Sequence, residues 1–284
     1  MSGTQLHKYC VIGTPVSHSR SPELFAHIFA ERGLEKCCEY TINEIRTEEE
    51  LKDFLGEMRI GKWAGCNVTM PWKTKVAELA DELTPRARLM NSVNTLKRLP
   101  DGTLIGDSTD GVGLIKAVEK RTAGTTETDS TGQNRNGQSI SDYKVLLLGA
   151  GGAARSVLAA LTEAGVRDCS VVCRDSRNRQ LLVEILRQQN IPIIDFGDTR
   201  QVLQLCADSD LIINCTPLGM IPQEDMCPLP DNAVFKPGAI IADAVYNPSE
   251  TLLLKRAAAK GCVCVTGLDM LTGQAEAAAE FLLD

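Results

Sequence analysis

The sequence predicts an α/β protein, and three observations carry that prediction. Short apolar runs alternate with amphipathic stretches of helical period along most of the chain. A strongly polar segment, residues 122–142, interrupts the alternation once. Directly after it, the apolar run Lys144-Val145-Leu146-Leu147-Leu148 leads into Gly149-Ala150-Gly151-Gly152-Ala153-Ala154 and a further apolar helical pattern. Strands alternating with helices imply a mainly parallel sheet covered on both faces. A chain of 284 residues accommodates one large domain or two ordinary ones, with a sizeable core in either case.

The first strand is the run Tyr9-Cys10-Val11-Ile12, stopped by Gly13 and Pro15. Ser21-Pro22 then opens a helix with Leu24, Phe25, Ile28 and Phe29 on one face. Cys38 to Ile42 reads as the second strand, and Thr47 caps a helix through Met58, with Glu50 completing a capping box. Cys66-Asn67-Val68-Thr69 is a short strand entering a loop at Pro71, and Lys73 to Leu83 a helix. Ser92 to Arg98 and Thr103 to Gly106 return as strands around the turn Pro100-Asp101-Gly102. The segment 122–142 holds only Ala123 and Ile140 as apolar residues and reads as a mobile surface loop. Beyond the glycine turn the helix ends near Gly165, and strands follow at Cys169 to Cys173, Leu211 to Asn214, Ala239 to Asp243 and Val263 to Val265. No internal repeat of fixed period is present.

Composition excludes several classes. Aromatic residues are 4% and the formal net charge is -7, so neither stacking platforms nor a basic footprint for nucleic acid exist. Any anionic ligand must be bound by local geometry. The 11 cysteines are scattered from Cys10 to Cys264 without a CxxC pair, which reads as reduced thiols in a cytoplasmic protein, several filling buried strands (Cys169, Cys173, Cys215, Cys262, Cys264). No metal site is expected. The N-terminus lacks a basic region followed by a long apolar stretch, and no apolar run approaches the ~18 residues that span a bilayer. A soluble protein with no membrane partner is the expectation.

The glycine turn admits two readings. It is a plain strand-helix turn, or it brings backbone amides to a pyrophosphate at a helix N-terminus, whose dipole supplies the positive field that the net charge does not. The second strand bears on the choice. In the dinucleotide pattern an acidic residue at that strand's end, ~20 residues on, grips the ribose hydroxyls. Here Cys173 is followed by Arg174-Asp175-Ser176-Arg177-Asn178-Arg179. The arginines favour a ribose phosphate and hence NADP, while Asp175 favours a free ribose and NAD.

Polar groups also gather at the ends of the first-half strands, where open α/β sheets present ligand sites. Ser17 and Ser19 follow the first strand, Asn67 and Thr69 with Lys73 the third, Asn94 the fourth, and Asp110 stands just past Gly106. Singly, each has a structural explanation. Ser17 and Ser21 read as caps, Asn94 as a turn former, Lys73 as a solvated helix lysine, and Asp110 as the N-cap of the helix carrying Val112, Leu114 and Ile115.

Together the strings GTPVSHSRSP (13–22), GCNVTMPWK (65–73), SVNT (92–95), GDSTDGVG (106–113), LLLGAGGAAR (146–155), NCTPLGM (214–220), DAVYNPSET (243–251) and GLDMLTGQA (267–275) resemble, in order and over nearly the whole chain, the shikimate dehydrogenase and quinate/shikimate dehydrogenase family. The resemblance implies two domains: a substrate-binding catalytic domain, 1–105 with 267–284, and a Rossmann-type doubly wound NAD(P)-binding domain, 106–266. It implies reversible, NADP-linked reduction of 3-dehydroshikimate to shikimate, a step of chorismate and aromatic amino-acid synthesis, in a cleft that closes over both ligands. By match to the family's motifs, Lys73 and Asp110 are the catalytic pair. Ser17, Ser19 and Thr69 would bind the substrate carboxylate, Asn67, Asn94 and Gln274 the ring hydroxyls, and Tyr246 would border the substrate. Gly149, Ala150, Gly151, Gly152, Ala153 and Ala154 would cradle the pyrophosphate. Arg174, Asp175 and Arg177 would meet the adenosine ribose, with Thr216, Gly267 and Met270 completing the cofactor site. The partner expected is thus a small carboxylate, and the chain a monomer or homodimer.

Several positions depart from the family pattern. NTDG appears as Ser108-Thr109-Asp110-Gly111 and GAVNT as Asn91-Ser92-Val93-Asn94-Thr95, and the Asn-Arg-Thr clasp has become Cys173-Arg174-Asp175. Asp269 stands where a small residue is commoner, and the 122–142 segment is longer than usual. The chain stops at Asp284, soon after Gln274, so the terminal helix is expected to be short or trimmed.

Three alternatives stand beside the main reading. A quinate dehydrogenase using NAD differs by one hydroxyl and a ring double bond; Ser19, smaller than threonine, favours shikimate. A dehydrogenase of methylene-tetrahydrofolate also uses a lysine, but Ser17 and Ser19 suit a small carboxylate better than a pterin. A non-catalytic ligand sensor with the same fold need not keep Lys73 and Asp110.

Overall fold

The computed structural model describes residues 6–123, 139–174, 182 and 191–284, so most of the polar segment and both Asp175 and Arg177 lie outside the described residues. Two compact units divide the chain, one of Met1–Thr109 with Gln274–Asp284 and one of Asp110–Gly273.

In the first unit, β1 (His7–Gly13) pairs in parallel with β2 (Cys38–Glu44) and with β3 (Gly65–Val68). β3 and β5 (Thr95–Arg98) are antiparallel, as are β5 and β6 (Leu104–Asp107), and β4 (Glu82–Leu83) adds to β6 in parallel. The sheet order is β2-β1-β3-β5-β6-β4, mainly parallel as expected. One face packs Ile12, Val68 and Leu96 against Leu51, Phe54, Leu55 and Met58 of α2 (Glu48–Arg59) and Val76 of α3 (Lys73–Leu79). The other face packs Tyr9 and Cys38 against Phe25 and Phe29 of α1 (Ser21–Glu31) and against Ala275, Ala278, Ala279 and Leu282 near the C-terminus.

Local signals explain most boundaries. The Thr47 hydroxyl accepts the Glu50 amide, as a capping box requires, but the Glu50 carboxylate reaches back to the Arg46 amide, one residue earlier than the usual partner. α3 stops at Leu79, short of the expected Leu83, because Glu82–Leu83 pair with Ile105 and Gly106 as a strand. α4 (Pro85–Met90) begins with Thr84 as N-cap and proline in its first turn, and ends on Asn91 at φ 46°, in the left-handed region. That turn delays β5 to Thr95, where the sequence suggested a strand from Ser92.

The second unit begins with α5 (Asp110–Thr122). Its sheet runs β12 (Val263–Val265), β11 (Ile240–Asp243), β10 (Leu211–Asn214), β7 (Val145–Leu148), β8 (Cys169–Cys173), β9 (Ile193–Asp195), all parallel. Counted within the unit, this is the order 3-2-1-4-5-6 read from the β9 edge, the Rossmann-type doubly wound sheet whose ligand crevice lies where β7 and β10 part. α5 and α6 (Gly152–Glu163) cover one face and α7 (Thr199–Asp208) with α8 (Leu252–Ala258) the other.

α9 (Gly267–Leu283) serves both units. Met270 is buried in the core that α5 and α6 form, whereas Ala275 and Leu282 belong to the first unit's core. The division therefore falls within α9 and not at its start, a correction to the boundary expected at 266. The other boundary moves from 105 to Thr109 because β6 pairs with β5 and β4 through Asp107.

Among the described residues no helix is long and apolar enough to cross a membrane, and no cluster of side chains suits a metal ion.

Candidate active site

In the first unit Asn67 and Thr69 stand at the carboxyl end of β3, and Asn94 precedes the antiparallel β5 at the same edge of the sheet, ahead of its strand and not after it as the sequence suggested. Asn67 and Asn94 are buried, and the side-chain oxygen of each accepts from the protein. The Tyr40 hydroxyl donates to Asn67 Oδ1 at 2.7 Å, while Asn67 Nδ2 donates to the Asn94 carbonyl at 3.3 Å and to Thr95 Oγ1 at 3.1 Å. Asn94 Oδ1 accepts the Thr109 amide at 2.7 Å and the Thr109 hydroxyl at 3.1 Å. With each amide oxygen fixed, the orientation of each NH2 group is fixed too. Tyr40 stacks on Phe25 with ring centroids 4.2 Å apart, and burial raises its hydroxyl well above the usual phenol pKa, so it donates to Asn67 as a neutral group.

Ser19 Oγ donates to Ser21 Oγ at 3.1 Å and accepts the Ser21 amide at 3.2 Å, whereas Ser17 is exposed on the preceding turn. The structure thus joins Ser19 with Ser21, which the sequence offered only as a helix cap. Thr69 is half-buried, its amide bonded to the Ile12 carbonyl. Lys73 is the first residue of α3, half-buried, and its carbonyl accepts the Val93 amide at 2.9 Å. Gln274 is half-buried at the start of the first unit's share of α9.

The peptide leading out of this unit is anchored by charge. The Asp107 side chain is 0% exposed and receives a bidentate Arg86 guanidinium, with Nε to Oδ1 at 2.8 Å. Its Oδ1 also accepts the Thr84 hydroxyl and the Ser108 amide. Asp110, three residues on, is the first residue of α5 and belongs to the second unit, while Lys73 belongs to the first.

In the second unit the glycine turn lies at the carboxyl end of β7, beside the point where β10 diverges. Gly149 has a structural reason to be glycine: φ is +109° and a Cβ there would lie 3.0 Å from the Cys215 carbonyl oxygen. Gly151 and Gly152 have none of that kind. A Cβ on either would meet nothing within 4 Å, φ is negative at Gly151, and no side chain caps the helix start that they form. The first-turn amides of α6 therefore face an open surface without a protein partner from a cap, which fits the pyrophosphate of a dinucleotide.

Around this turn, Asp243 organises the loops. It is 0% exposed and accepts Asn214 Nδ2 at 2.9 Å, the Val245 amide at 3.0 Å and the Thr251 hydroxyl at 2.6 Å. Burial raises its carboxyl above the ordinary value against the pull of these donors. Asn214 Oδ1 in turn accepts both the amide and the hydroxyl of Thr216, so the Thr216 side chain is turned toward the protein. Tyr246, the residue after Val245, is 58% exposed. Gly267 lies against the Val245 carbonyl, where a Cβ would fall 2.4 Å from its oxygen, and Met270 is a core residue. The departure at Asp269 has a local cause: its carboxylate accepts the Thr266 amide and hydroxyl, and its amide donates to Thr266 Oγ1, a capping box opening α9.

Arg174 follows β8 in an exposed position, its guanidinium 5.9 Å from the Phe196 ring centroid. Phe196 follows β9 and gives no sequence signal of this contact, which arises only from the neighbouring of β8 and β9.

Comparison with known proteins follows the same division. Residues 11–96 match the family model for the shikimate dehydrogenase substrate binding domain, and residues 132–229 that for shikimate / quinate 5-dehydrogenase. The NADP(+) shikimate dehydrogenase of Symbiobacterium thermophilum is 32% identical over 95% of this chain and 87% of its own. The crystal structure of shikimate 5-dehydrogenase from Listeria monocytogenes in complex with shikimate and NAD superimposes with a TM-score of 0.83 at 30% identity, covering 98% of this chain and 92% of that one. That of the Thermus thermophilus enzyme with NADP(H) and shikimate gives 0.77 at 29% identity, covering 98% and 93%.

Proposed function

The chain belongs to the shikimate/quinate dehydrogenase family, and from that premise we propose that it is an NADP-dependent oxidoreductase reducing 3-dehydroshikimate reversibly to shikimate in the cytoplasm. The observation that carries the reading is the start of α6: two glycines with open space above them, at an uncapped helix N-terminus, on the strand where a doubly wound sheet receives its dinucleotide. Backbone amides from Gly152 to Ala154 hold the pyrophosphate, and Arg174 meets the ribose phosphate. Bound there, the nicotinamide supplies the hydride for ketone reduction and receives it in alcohol oxidation.

The chain's own residues do the rest. Ser17 and Ser19 bind the substrate carboxylate with Thr69, and Ser19, which donates to Ser21 in this structure, turns its hydroxyl to the carboxylate, with Ser21 as a further donor. Asn67 and Asn94, their amide groups held in one orientation, read ring hydroxyls together with Gln274, Asn67 through the second lone pair of Oδ1, since both of its N–H groups are bonded within the protein. Reduction turns a carbonyl oxygen into an alkoxide, which needs a cation and a proton at that oxygen. The Lys73 ammonium supplies both. Asp110 orients that ammonium and the adjacent hydroxyl. In the oxidation direction Lys73 first gives up its proton and then takes the one released by the alcohol.

A second reading concerns the cofactor. The Listeria relative was crystallised with NAD, and the clasp here reads Cys173-Arg174-Asp175, so use of NAD, and with it oxidation of quinate, is the alternative to test. Following absorbance of the reduced nicotinamide with shikimate and quinate, each offered to NADP and NAD, decides reaction, substrate and cofactor together. Shikimate with NADP is expected to give the highest kcat/KM. No turnover of either acid with either dinucleotide would refute the reading, and binding of shikimate without turnover would indicate a sensor.

A further inference from the structure

The hydroxyl of Ser156, 6% exposed on α6, accepts the Gly111 amide at 3.0 Å across 45 residues of sequence. Gly111 is the second residue of α5, and its amide is one of the first-turn donors that a helix cannot satisfy internally. The two helices touch backbone to backbone here, since a Cβ on Gly111 would fall 2.1 Å from the Ser156 carbonyl oxygen and 2.9 Å from Ala160 Cβ. Ser156 otherwise sits in a run of apolar residues, Val157, Leu158, Ala159, Ala160 and Leu161, all buried. A serine hydroxyl inside such a helix is costly unless it has a partner.

The position of that amide matters. The Gly111 N–H and the Asp110 Cα and carbonyl share one rigid peptide plane. Fixing the N–H fixes the plane and, with ψ of Asp110 held by the first turn of α5, the direction of the Asp110 Cα–Cβ bond. Ser156 stands one turn into α6, whose first residues form the dinucleotide cradle.

We propose that Ser156 is a positioning residue: by holding the Asp110–Gly111 peptide against α6 it aims the Asp110 carboxylate relative to the dinucleotide-binding helix. The inference rests on the assignment of Asp110 to the catalytic pair. It adds to that assignment a means by which the helix that receives the dinucleotide also sets the acid that serves the lysine.

A double-mutant cycle tests it, with Ser156→Ala, Asp110→Asn and the double variant assayed well below the thermal midpoint of each. Ser156→Ala is expected to lower kcat about tenfold, equivalent to ~1.4 kcal/mol, with KM for shikimate and NADP changed by less than about twofold. In the Asp110→Asn background the same substitution is expected to change kcat by less than about twofold, because there is no carboxylate left to aim. Equal effects in both backgrounds would make Ser156 a structural residue only and overturn the proposal, as would an unchanged kcat in Ser156→Ala. Full turnover in Asp110→Asn alone would remove Asp110 from the mechanism and the positioning role with it. Should Ser156→Ala not fold, Ser156→Cys, which keeps the volume and weakens the acceptor, replaces it in the cycle with the same criteria.

Discussion

Removing the Arg86 guanidinium by Arg86→Ala isolates the cost of a buried charge. The Asp107 side chain is 0% exposed and that of Arg86 only 23%, so the pair is screened little by water. After substitution Asp107 keeps the Thr84 hydroxyl at 2.5 Å and the Ser108 amide at 2.8 Å, both on Oδ1, while Oδ2 loses its guanidinium donor. Stranding one partner of a buried pair costs about 3–5 kcal/mol, because the desolvated carboxylate is no longer compensated. At about 4 °C per kcal/mol for a domain of this size, the first unit should melt about 10–20 °C earlier, as followed by calorimetry. The double variant Arg86→Ala/Asp107→Asn tells charge from packing. Removing the stranded charge should recover about half of the loss or more. If Arg86→Ala costs under about 1 kcal/mol, or if Asp107→Asn adds a further independent loss in its background, the buried-charge account is wrong and the arginine stem's packing is what counts.

Three further outcomes follow from the geometry. Lys73→Ala should lower turnover by about 10²–10⁴-fold with a much smaller change in KM for shikimate, and turnover near wild type would remove Lys73 from the catalytic role. Gly152→Val should leave the melting temperature unchanged or slightly raised, since valine is the better helix former and its Cβ meets nothing, yet raise KM for NADP at least about tenfold; equal KM values would refute the cradle. Asp243 binds its proton more readily in the folded than in the unfolded chain, so it adds stability as pH falls into the range just above the ordinary carboxylate value. Urea titrations of wild type and Asp243→Asn across that range should therefore diverge in favour of wild type as pH falls, and parallel curves would contradict the sign.

The legible parts of the sequence are those where one local signal suffices. The run Val145 to Leu148 followed by glycines announces β7 and α6, and Thr47 with Glu50 announces α2, because apolar period and capping act within a few residues. β4 and β9 were not legible, being two and three residues long, too short for any period and formed only by pairing with a neighbour. The site divides in the same way. Lys73, Asn67, Asn94 and the glycine turn stand in strings that can be read, whereas the pairing of Ser19 with Ser21 depends on how the loop after β1 turns into α1. Tyr40 and Ser156 carry no sequence mark, and Asp243 is marked only as the first letter of the string 243–251, since what distinguishes each is a partner 27, 45 or 29 residues away.

The shared helix α9 bears on synthesis. When the ribosome has delivered residues 1–109, the layer that Tyr9 of the sheet forms with Phe25 and Phe29 of α1 still lacks Ala275, Ala278, Ala279 and Leu282, and the apolar face those four cover is bare. That apolar face waits, uncovered, through the whole synthesis of the second unit, whose own core closes once Met270 has emerged. Of the two units, the one begun first is thus finished last, and the nascent chain must be kept from aggregating until residues 274–284 leave the tunnel.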